Sequence, residues 1–285
     1  MNKYFRRTLS MAGAVAMAMS IMAVPAMAGE TEAATEAGTE AEAVIGPDTQ
    51  KIIDSGVLRV GVKNAVQGFG FQDTVTGEYS GLEISLAEDI AADLGVDVEF
   101  TTVTAATRTE LLDSGDIDCV LATFTITDER KKSWDFTTPY YEDHVGVLVE
   151  KASGITDLSG LVGKKVGVSS GSTSAMSLVQ AMVDNGVIDA SEFDKDTFDP
   201  ATWKGDVTFQ QYDDYPTIST ALTAGEVDAF CVDKSILAIY HTDDRDYIKE
   251  EFAPQDYGVA TTKGSDFSAY CEAEIQKFRT DGTGD

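Results

Sequence analysis

The sequence is poor in the side chains that build metal sites and disulfide frameworks. It contains three cysteines and two histidines in 285 residues, with no C-x-x-C pair and no histidine spacing suited to zinc. Cys119 and Cys231 fall inside apolar, strand-like runs, where a buried free thiol is the commonest outcome. The sequence therefore predicts no disulfide, no metal site and no cofactor.

Positive charge is also scarce. Lys and Arg together number 21 against 49 Asp and Glu, which gives a formal net charge of −28. A field of this sign repels phosphate backbones and anionic lipid headgroups. The charge therefore argues strongly against binding to nucleic acid or to a membrane surface.

The first residues have the pattern of a secretory signal, predicted over residues 1–28. Three cations within 3–7 precede an apolar run over 9–24, and Ala-Met-Ala at 26–28 offers a cleavage site. A membrane anchor is the alternative, but the run is short and is interrupted by Ser, Gly and Pro. Because no cysteine precedes Cys119, we expect an exported protein, periplasmic or extracellular, that is not a lipoprotein.

The next segment has almost nothing to bury. Residues 29–46, GETEAATEAGTEAEAVIG, are nearly all Ala, Glu, Thr and Gly, so we expect a disordered acidic linker. About 240 residues remain, enough for one large domain or two lobes with cores of their own.

From Val57 onwards, short apolar runs alternate with helical patterns. VLRVGV is strand-like, and the following GLEISLAEDIAADLG repeats leucine and isoleucine at helical spacing from Leu82 to Leu94. A second series runs from KKVGVSS to VDAFCV, with helices expected from about Ser172 and Tyr215. This alternation predicts an α/β fold of mainly parallel sheets flanked by helices, with ligands at the carboxyl ends of the strands.

The two series also share a plan, which favours two lobes. The same order of features, a helix, a glycine, an acidic residue, an aspartate and a strand, occurs in LLDSGDIDCVLATF and in ALTAGEVDAFCVDK. Any α/β chain contains such repeats, however. We predict lobe 1 over 47–141 plus 256–285 and lobe 2 over 142–255, joined by two hinge crossings. Residues 186–206, which are polar and acidic, are predicted to form a surface insertion in lobe 2.

The stretch LATFTITDERKKSWDFTTPYY at 121–141 predicts a carboxylate site. A strand expected to end at Thr123 or Phe124 is followed by a helix-start signal at 127–130. The hydroxyls of Thr123 and Thr125, free backbone N–H groups and the Arg130 guanidinium would then converge. The alternative, an exposed Arg130 paired with a neighbouring acid, stays open at this stage.

The second series contains two further candidate binding features, an anion site and a carboxylate. In VGVSSGSTSAM, the amides of Ser172 and Thr173 could hold an anion at the start of a helix, although an ordinary capped helix has the same pattern. Asp233 follows VDAFCV, at the carboxyl end of a strand. An unpaired carboxylate there is costly, so Lys234, a helix N-terminus or a cationic ligand group must satisfy it.

A catalytic alternative rests on the pattern G-x-S-x-G at 167–171, with Ser169 as nucleophile. Asp228 or Asp233 followed by His241 gives the order of partners found in α/β-hydrolases. Against it, no HG-type oxyanion segment is visible, and His241 lies in the polar stretch YHTDDRD, where a solvated histidine is expected.

Several segments, in order along the chain, resemble a known family: LRVGVKN, GLEISLAEDIAADLG, LLDSGDIDCVLATFTITDERKKSWDFTTPYY, LVGKKVGVSSGSTS, YDDYPTISTALTAGEVDAFCVDKSIL and YGVATTKGS. They are similar to solute-binding proteins, family 3, of polar amino acid ABC transporters. Within the family they look most like the branch that binds aspartate and glutamate. The resemblance implies a two-lobed periplasmic-binding-protein fold of type II, with an amino acid held between the lobes.

The resemblance also implies roles for single residues. Arg130, the Thr125 amide and Thr173 would hold the α-carboxylate, and Asp233 would hold the α-ammonium. Thr123 would line the site. The remaining candidates would face or flank the ligand side chain: Arg108, with Lys63 and Tyr215 nearby.

Charge counting then distinguishes the ligands. An acidic amino acid brings two negative groups and one positive group, matched by Arg108 and Arg130 against Asp233. A neutral ligand leaves Arg108 without a charged partner, at a cost of roughly 2–5 kcal/mol. Glutamate or aspartate is therefore expected, with glutamine as the alternative because its amide oxygen can also accept from Arg108.

The resemblance further implies a monomeric receptor that works with an ABC permease in the membrane and is not an enzyme, although a dehydratase on the same fold stays open. Two departures stand out. The loop NAVQGFGF has Val66 and Gln67 where an aromatic residue and a proline are common. The sequence ends at RTDGTGD, where family members usually continue into a final helix with a tryptophan, so a truncated frame or a missing helix is expected.

Overall fold

The fold is taken from a computed structural model, which describes residues 45–280. The predicted signal segment and residues 29–44 of the predicted linker lie outside this part of the chain. None of the described helices is long and apolar enough to cross a membrane.

Seven α-helices lie within residues 45–280: α1 (Pro47–Ser55), α2 (Leu82–Leu94), α3 (Arg108–Ser114), α4 (Ser174–Asp184), α5 (Tyr215–Ala224), α6 (Lys234–Tyr240) and α7 (Phe267–Thr280). The strands of the same part are β1 (Val57–Val62), β2 (Ala65–Val66), β3 (Gly70–Gln72), β4 (Tyr79–Ser80), β5 (Asp97–Thr102), β6 (Cys119–Leu121), β7 (Trp134–Phe136), β8 (Tyr141–Glu150), β9 (Lys165–Ser169), β10 (Thr208–Tyr212), β11 (Ala229–Asp233), β12 (Arg245–Tyr247), β13 (Phe252–Tyr257) and β14 (Ala260–Thr262).

The strands form two large sheets and one small one. The first sheet has the order β5-β1-β6-β14-β7, and the second has the order β10-β9-β11-β8-β12, with β13 also pairing with β8. Strands β2, β3 and β4 form a small sheet of their own. Each large sheet has three parallel strands, β5-β1-β6 or β10-β9-β11, while β14 and β8 run antiparallel to their neighbours. The sheets are therefore mixed, where the sequence pattern predicted mainly parallel ones.

The chain crosses between the large sheets twice, once between β7 and β8 and once between β13 and β14. At the crossings β8 and β13 pair antiparallel, with Tyr141 opposite Tyr257. The rings of these two tyrosines stack at 5.8 Å, and Phe69 meets Tyr141 edge-on at 4.9 Å. The predicted lobe limits fall beside these crossings, 141 at the first residue of β8 and 256 one residue before the end of β13, and we keep them as a proposal.

Helix α2 shows how the first sheet is covered. Its buried residues include Ile84, Leu86, Ile90 and Leu94, and burying each such side chain stabilises the fold by about 1.5–3 kcal/mol. The helix ends at Gly95, whose φ of 71° places it in the left-handed region, the usual glycine stop. On the second sheet, Leu178, Val179 and Met182 of α4 join a buried cluster with β9 and β11.

Local differences from the sequence reading concern the ends of elements. Strand β6 ends at Leu121 rather than at Thr123 or Phe124. The helix predicted after Thr127 is only a 3-10 turn over Arg130–Lys132. Helix α4 begins at Ser174, two residues later than expected.

Cys119, Cys231 and Cys271 are all buried and free. The predicted insertion at 186–206 contains a 3-10 turn over Ala190–Glu192, and Phe193, Phe198 and Trp203 cluster within it.

Candidate ligand-binding site

The carboxyl ends of the central strands of both large sheets meet at one small cavity. Eight of the nine residues singled out from the sequence line it: Arg108, Thr123, Thr125, Arg130, Ser172, Thr173, Tyr215 and Asp233. The ninth, Lys63, lies beside it, with its Nζ 5.3 Å from the centre of the Tyr215 ring. The free volume is about 10 Å³, room for about one water. An amino acid therefore enters only if the walls of this cavity move apart.

Thr123 has an unusual backbone conformation. Its φ of 44° lies in the left-handed region, which is rare for a β-branched residue. Such a conformation costs of order 1–3 kcal/mol and persists where the surroundings enforce it. Oε1 of Glu83 accepts from the Thr123 N–H at 2.5 Å, and Nη1 of Arg108 donates to the Thr123 carbonyl at 3.3 Å. The side chains of Glu83 and Arg108 therefore hold the peptide groups on both sides of Thr123.

Arg108 begins α3 and points into the protein. Its side chain is buried, its Nη1 also donates to the Ala122 carbonyl at 2.9 Å, and the guanidinium carbon lies 3.8 Å from the centre of the Phe124 ring. Burial lowers the pKa of Arg108. Nε has no hydrogen-bond partner within residues 45–280. The guanidinium is therefore held in place without a carboxylate contact among these residues.

Arg130 spans the space between the segments that follow β6 and β9. Its Nη1 donates to the Thr125 carbonyl at 2.7 Å, and its Nη2 donates to the Gly171 carbonyl at 3.2 Å. Burial, followed by the nearby Arg108 charge, lowers the pKa of Arg130 to about 9, so it is still protonated at neutral pH. The acids that could have paired with it bond Lys131 and Lys132 instead. Arg130 therefore pairs with neither of these acids.

The two threonines that flank the cavity share one acceptor. Oε1 of Gln255, on β13, accepts from the Thr125 hydroxyl at 2.7 Å and from the Thr173 hydroxyl at 2.8 Å. Gln255 is buried, and its amide nitrogen donates to the Ala253 and Pro254 carbonyls. This side chain therefore links a residue after β6 to a residue before α4. Ser172 lies next to them, and its hydroxyl accepts from the Ser174 N–H at 3.4 Å.

Asp233 ends β11 and is almost fully buried. Its Oδ2 accepts from the Tyr257 hydroxyl at 2.5 Å, and the same hydroxyl lies 3.3 Å from Oδ2 of Asp143. Burial raises the pKa of Asp233 to about 7, against the lowering effect of Tyr257. Lys234, a partner considered from the sequence, pairs with Glu251 instead. Helix α6, which starts next to Asp233, receives no side-chain cap from it.

Lys63 is a buried ammonium group at the end of β1. Burial, with a further contribution from the Arg108 charge, lowers the pKa of Lys63 to about 7. Glu83 and Asp233 act in the opposite direction. Lys63 therefore lies near its titration point at neutral pH, and an additional negative charge nearby would favour its protonated form.

The sequence of residues 58–285 matches the family described as bacterial extracellular solute-binding proteins, family 3. The chain belongs to this family. The resemblance inferred from the sequence is thus confirmed.

Single relatives and solved structures agree with this assignment. The ABC transporter glutamine-binding protein GlnH of Bacillus subtilis is 32% identical over 238 residues, which cover 81% of this chain and 79% of GlnH. The glutamate-binding protein GluB of Corynebacterium glutamicum is 27% identical over 252 residues, which cover 81% and 77%. A solved ancestral arginine-binding protein bound to arginine is 33% identical, with a TM-score of 0.67, covering 80% of this chain and 95% of that chain. This family 3 protein therefore has the predicted two-lobed fold.

The structure also bears on the serine hydrolase alternative. The hydroxyl of Ser169 is buried and has no hydrogen-bond partner within residues 45–280. His241 stacks on the ring of Tyr247, and Asp228 accepts from the Lys165 N–H. Ser169 thus has no paired base in the described part of this solute-binding protein. Nor does that part contain a group of three or more His, Cys, Asp or Glu able to hold a metal ion.

Sequence reasoning missed three polar residues around the cavity. Glu83 lies on the buried stripe of α2, four and seven residues before the buried Ala87 and Ile90, so an acid on an apolar stripe was the available signal. Gln255 and Tyr257 lie beside the predicted lobe limit at 256, but no role in the site was predicted for them. No periodicity distinguishes these two, because their roles arise from the pairing of β13 with β8.

Proposed function

We propose that this solute-binding protein captures an acidic amino acid, glutamate or aspartate, between its two large sheets and delivers it to an ABC permease in the membrane. It would act as a monomeric, exported receptor without a cofactor. The observation that carries the proposal is the excess of buried positive charge around the cavity.

The charges can be counted with all groups ionised. Among the groups that line the cavity, Arg108 and Arg130 are positive and Asp233 is negative, which leaves one net positive charge. Outside the lining, Lys63 and Glu83 carry opposite charges, and Asp143 accepts hydrogen bonds from Ser235 and Tyr257. Glutamate or aspartate, with one net negative charge, neutralises it. Glutamine leaves the positive charge in place, and a cationic amino acid doubles it. Uncompensated charge in a buried site is costly, so the acidic ligand is favoured.

The geometry suggests where each ligand group would lie. Arg130, the Thr125 amide and Thr173 surround the place for the α-carboxylate, and Asp233 would pair with the α-ammonium. The side-chain carboxylate would approach Arg108 and Lys63, whose charges no carboxylate within residues 45–280 contacts directly. Charged hydrogen bonds of this kind are the strong ones in proteins.

Opening of the cleft is part of the same proposal. The cavity of about 10 Å³ is too small for any amino acid, so the walls must separate and close again around the ligand. The two crossings are the only covalent links between the large sheets within residues 45–280, and we propose them as the hinge.

Glutamine is the second candidate. GlnH, a glutamine-binding protein, is 32% identical to this chain, and the Arg108 guanidinium could donate to an amide oxygen as well as to a carboxylate. Lys63 in its neutral form would reduce the positive excess and favour a neutral ligand.

Titration calorimetry of the purified protein against the twenty amino acids tests the proposal. We expect glutamate or aspartate to bind most tightly, with a Kd below about 100 μM. This Kd corresponds to a binding free energy of roughly 5.5 kcal/mol. Tightest binding of glutamine would select the second candidate. Tightest binding of arginine or of an apolar amino acid would overturn the charge argument.

A further inference from the structure

Glu83 is a buried acid that is not among the proposed ligand contacts. It lies in the first turn of α2, is fully buried, and uses one oxygen, Oε1, for two hydrogen bonds. The donors are the Thr123 N–H at 2.5 Å and the Tyr140 hydroxyl at 2.7 Å. Burying a carboxylate costs free energy, which an apolar side chain at the same position of α2 would avoid. The hydrogen bond to a strained backbone amide supplies a reason.

The segment beyond Thr123 carries the proposed α-carboxylate contacts. Thr123 has its φ at 44°, Thr125 follows two residues later, and Arg130 donates back to the Thr125 carbonyl. The direction in which this segment leaves β6 therefore depends on the conformation of Thr123. Glu83 makes no hydrogen bond to Thr125 or Arg130 within residues 45–280, so we expect its effect on their positions to pass through Thr123.

We propose that Glu83 is a positioning residue, which holds Thr123 in the left-handed conformation and thereby aligns Thr125 and Arg130 for the ligand. For its ligand readout this inference rests on the proposed function. The competing explanation is purely structural: Glu83 would only tie α2 to Tyr140. Tyr140→Phe removes only the hydrogen bond from Tyr140 and keeps the one from the Thr123 N–H, whereas Glu83→Leu removes both, which makes the explanations distinguishable.

The first experiment needs no ligand. Amide hydrogen exchange and the amide proton resonance of Thr123 are measured by NMR in the wild type, in Glu83→Leu and in Tyr140→Phe. We expect at least 10-fold faster exchange of the Thr123 amide in Glu83→Leu and little change in Tyr140→Phe, which keeps the carboxylate. An unchanged Thr123 amide in Glu83→Leu would overturn the proposal, whatever the ligand is.

The second experiment is a double-mutant cycle on glutamate affinity. In the wild-type background we expect Glu83→Leu to weaken binding at least 10-fold and Glu83→Gln, which retains an acceptor oxygen, at most about 3-fold. Glycine adopts a positive φ without strain, so in the Thr123→Gly background the loss from Glu83→Leu should shrink to about 3-fold or less. An equal loss in both backgrounds would show that Glu83 does not act through Thr123.

Two outcomes are kept separate by this design. If the wild type binds another amino acid in place of glutamate, the cycle is run with that amino acid, and the proposed acidic ligand fails without affecting this inference. If Glu83→Leu does not fold, Glu83→Gln is used for the NMR measurement. There the Thr123 amide proton should shift because an amide oxygen replaces the carboxyl oxygen as its acceptor, and an unmoved resonance contradicts the proposal.

Discussion

The Tyr257 hydroxyl donates a hydrogen bond of 2.5 Å to the carboxylate of Asp233. This contact joins the second crossing to the end of β11 and supports the ionised form of a carboxylate that burial would otherwise protonate. A ligand ammonium needs Asp233 ionised. The hydroxyl of Tyr257 should therefore influence ligand affinity without touching the ligand.

Replacing Tyr257 by Phe should shift the pH dependence of binding. With the pKa of Asp233 at about 7, wild-type affinity should fall as pH drops below 7, because the protonated acid cannot pair with an ammonium. Loss of the donor raises this pKa further, so in Tyr257→Phe the fall should begin at a higher pH. A hydrogen bond to a charged group contributes about 1.5–3 kcal/mol, which predicts a loss of roughly 7-fold or more at pH 7.

Calorimetry between pH 5.5 and 8.5 would measure this shift. Tyr270→Phe is the matched control, because Tyr270 donates to Asp93 away from the cavity. Identical pH profiles for wild type and Tyr257→Phe would contradict the assigned role of this contact.

Lys63 should cause a second change in affinity with pH, opposite in direction to the one expected from Asp233. With its pKa lowered to about 7, it is protonated below pH 7 and loses its charge above. Glutamate binding should therefore weaken as pH rises above 7, and it should take up more protons, or release fewer, than glutamine binding. Both ligands favour the ionised form of Asp233, but only glutamate brings a second carboxylate that favours protonated Lys63. Calorimetry in two buffers of different ionisation enthalpy detects the uptake.

Lys63→Met provides the test of this charge, since it keeps an unbranched side chain that is one atom shorter and removes the charge. Its glutamate affinity should be lower than that of the wild type at pH 6.5 and nearly flat from pH 7 to 8.5. A decline with pH as steep as that of the wild type would assign the titration to another group.

Arg108 should separate acidic from amide ligands. Replacing it by Met keeps an unbranched apolar side chain at this position but removes the charge that faces the proposed ligand carboxylate. At roughly 2–5 kcal/mol for an unpaired buried charge, glutamate affinity should fall at least 30-fold and glutamine affinity much less. Arg59→Met removes an ion pair with Asp118 outside the cavity and should leave both affinities unchanged. Equal losses for the two ligands in Arg108→Met would refute the charge count.

The sequence was sufficient for the elements that rest on local patterns. The stop of α2 at Gly95, the strand up to Asp233 and the convergence of Arg108 and Arg130 follow from periodicity, glycine signals and the family resemblance. The direction of a strand was harder to predict, because the composition of β8 and β14 does not indicate whether they run parallel or antiparallel to their neighbours.

The site shows the same division. Residue types at strand ends predicted the cavity lining, but the left-handed Thr123, the shared acceptor Gln255 and the Tyr257 contact depend on long-range packing. Hydrogen bonds between residues more than a hundred positions apart, such as that from Thr125 to Gln255, leave no trace in a local pattern.

Gly171 provides a test of cleft closure. It has a φ of 74°, and a Cβ at this position would lie 2.7 Å from the Ala105 carbonyl oxygen, which belongs to the loop between β5 and α3. Gly171→Ala should therefore prevent the loops of the two large sheets from meeting and weaken ligand binding at least 10-fold. Gly186 has a similar φ of 70° with open space around its position, so Gly186→Ala imposes the backbone strain without the clash. Calorimetry with both variants, together with X-ray scattering in saturating ligand, would measure affinity and compaction. If both variants lose the same affinity, backbone strain accounts for the effect and the close approach of Gly171 to Ala105 does not govern closure.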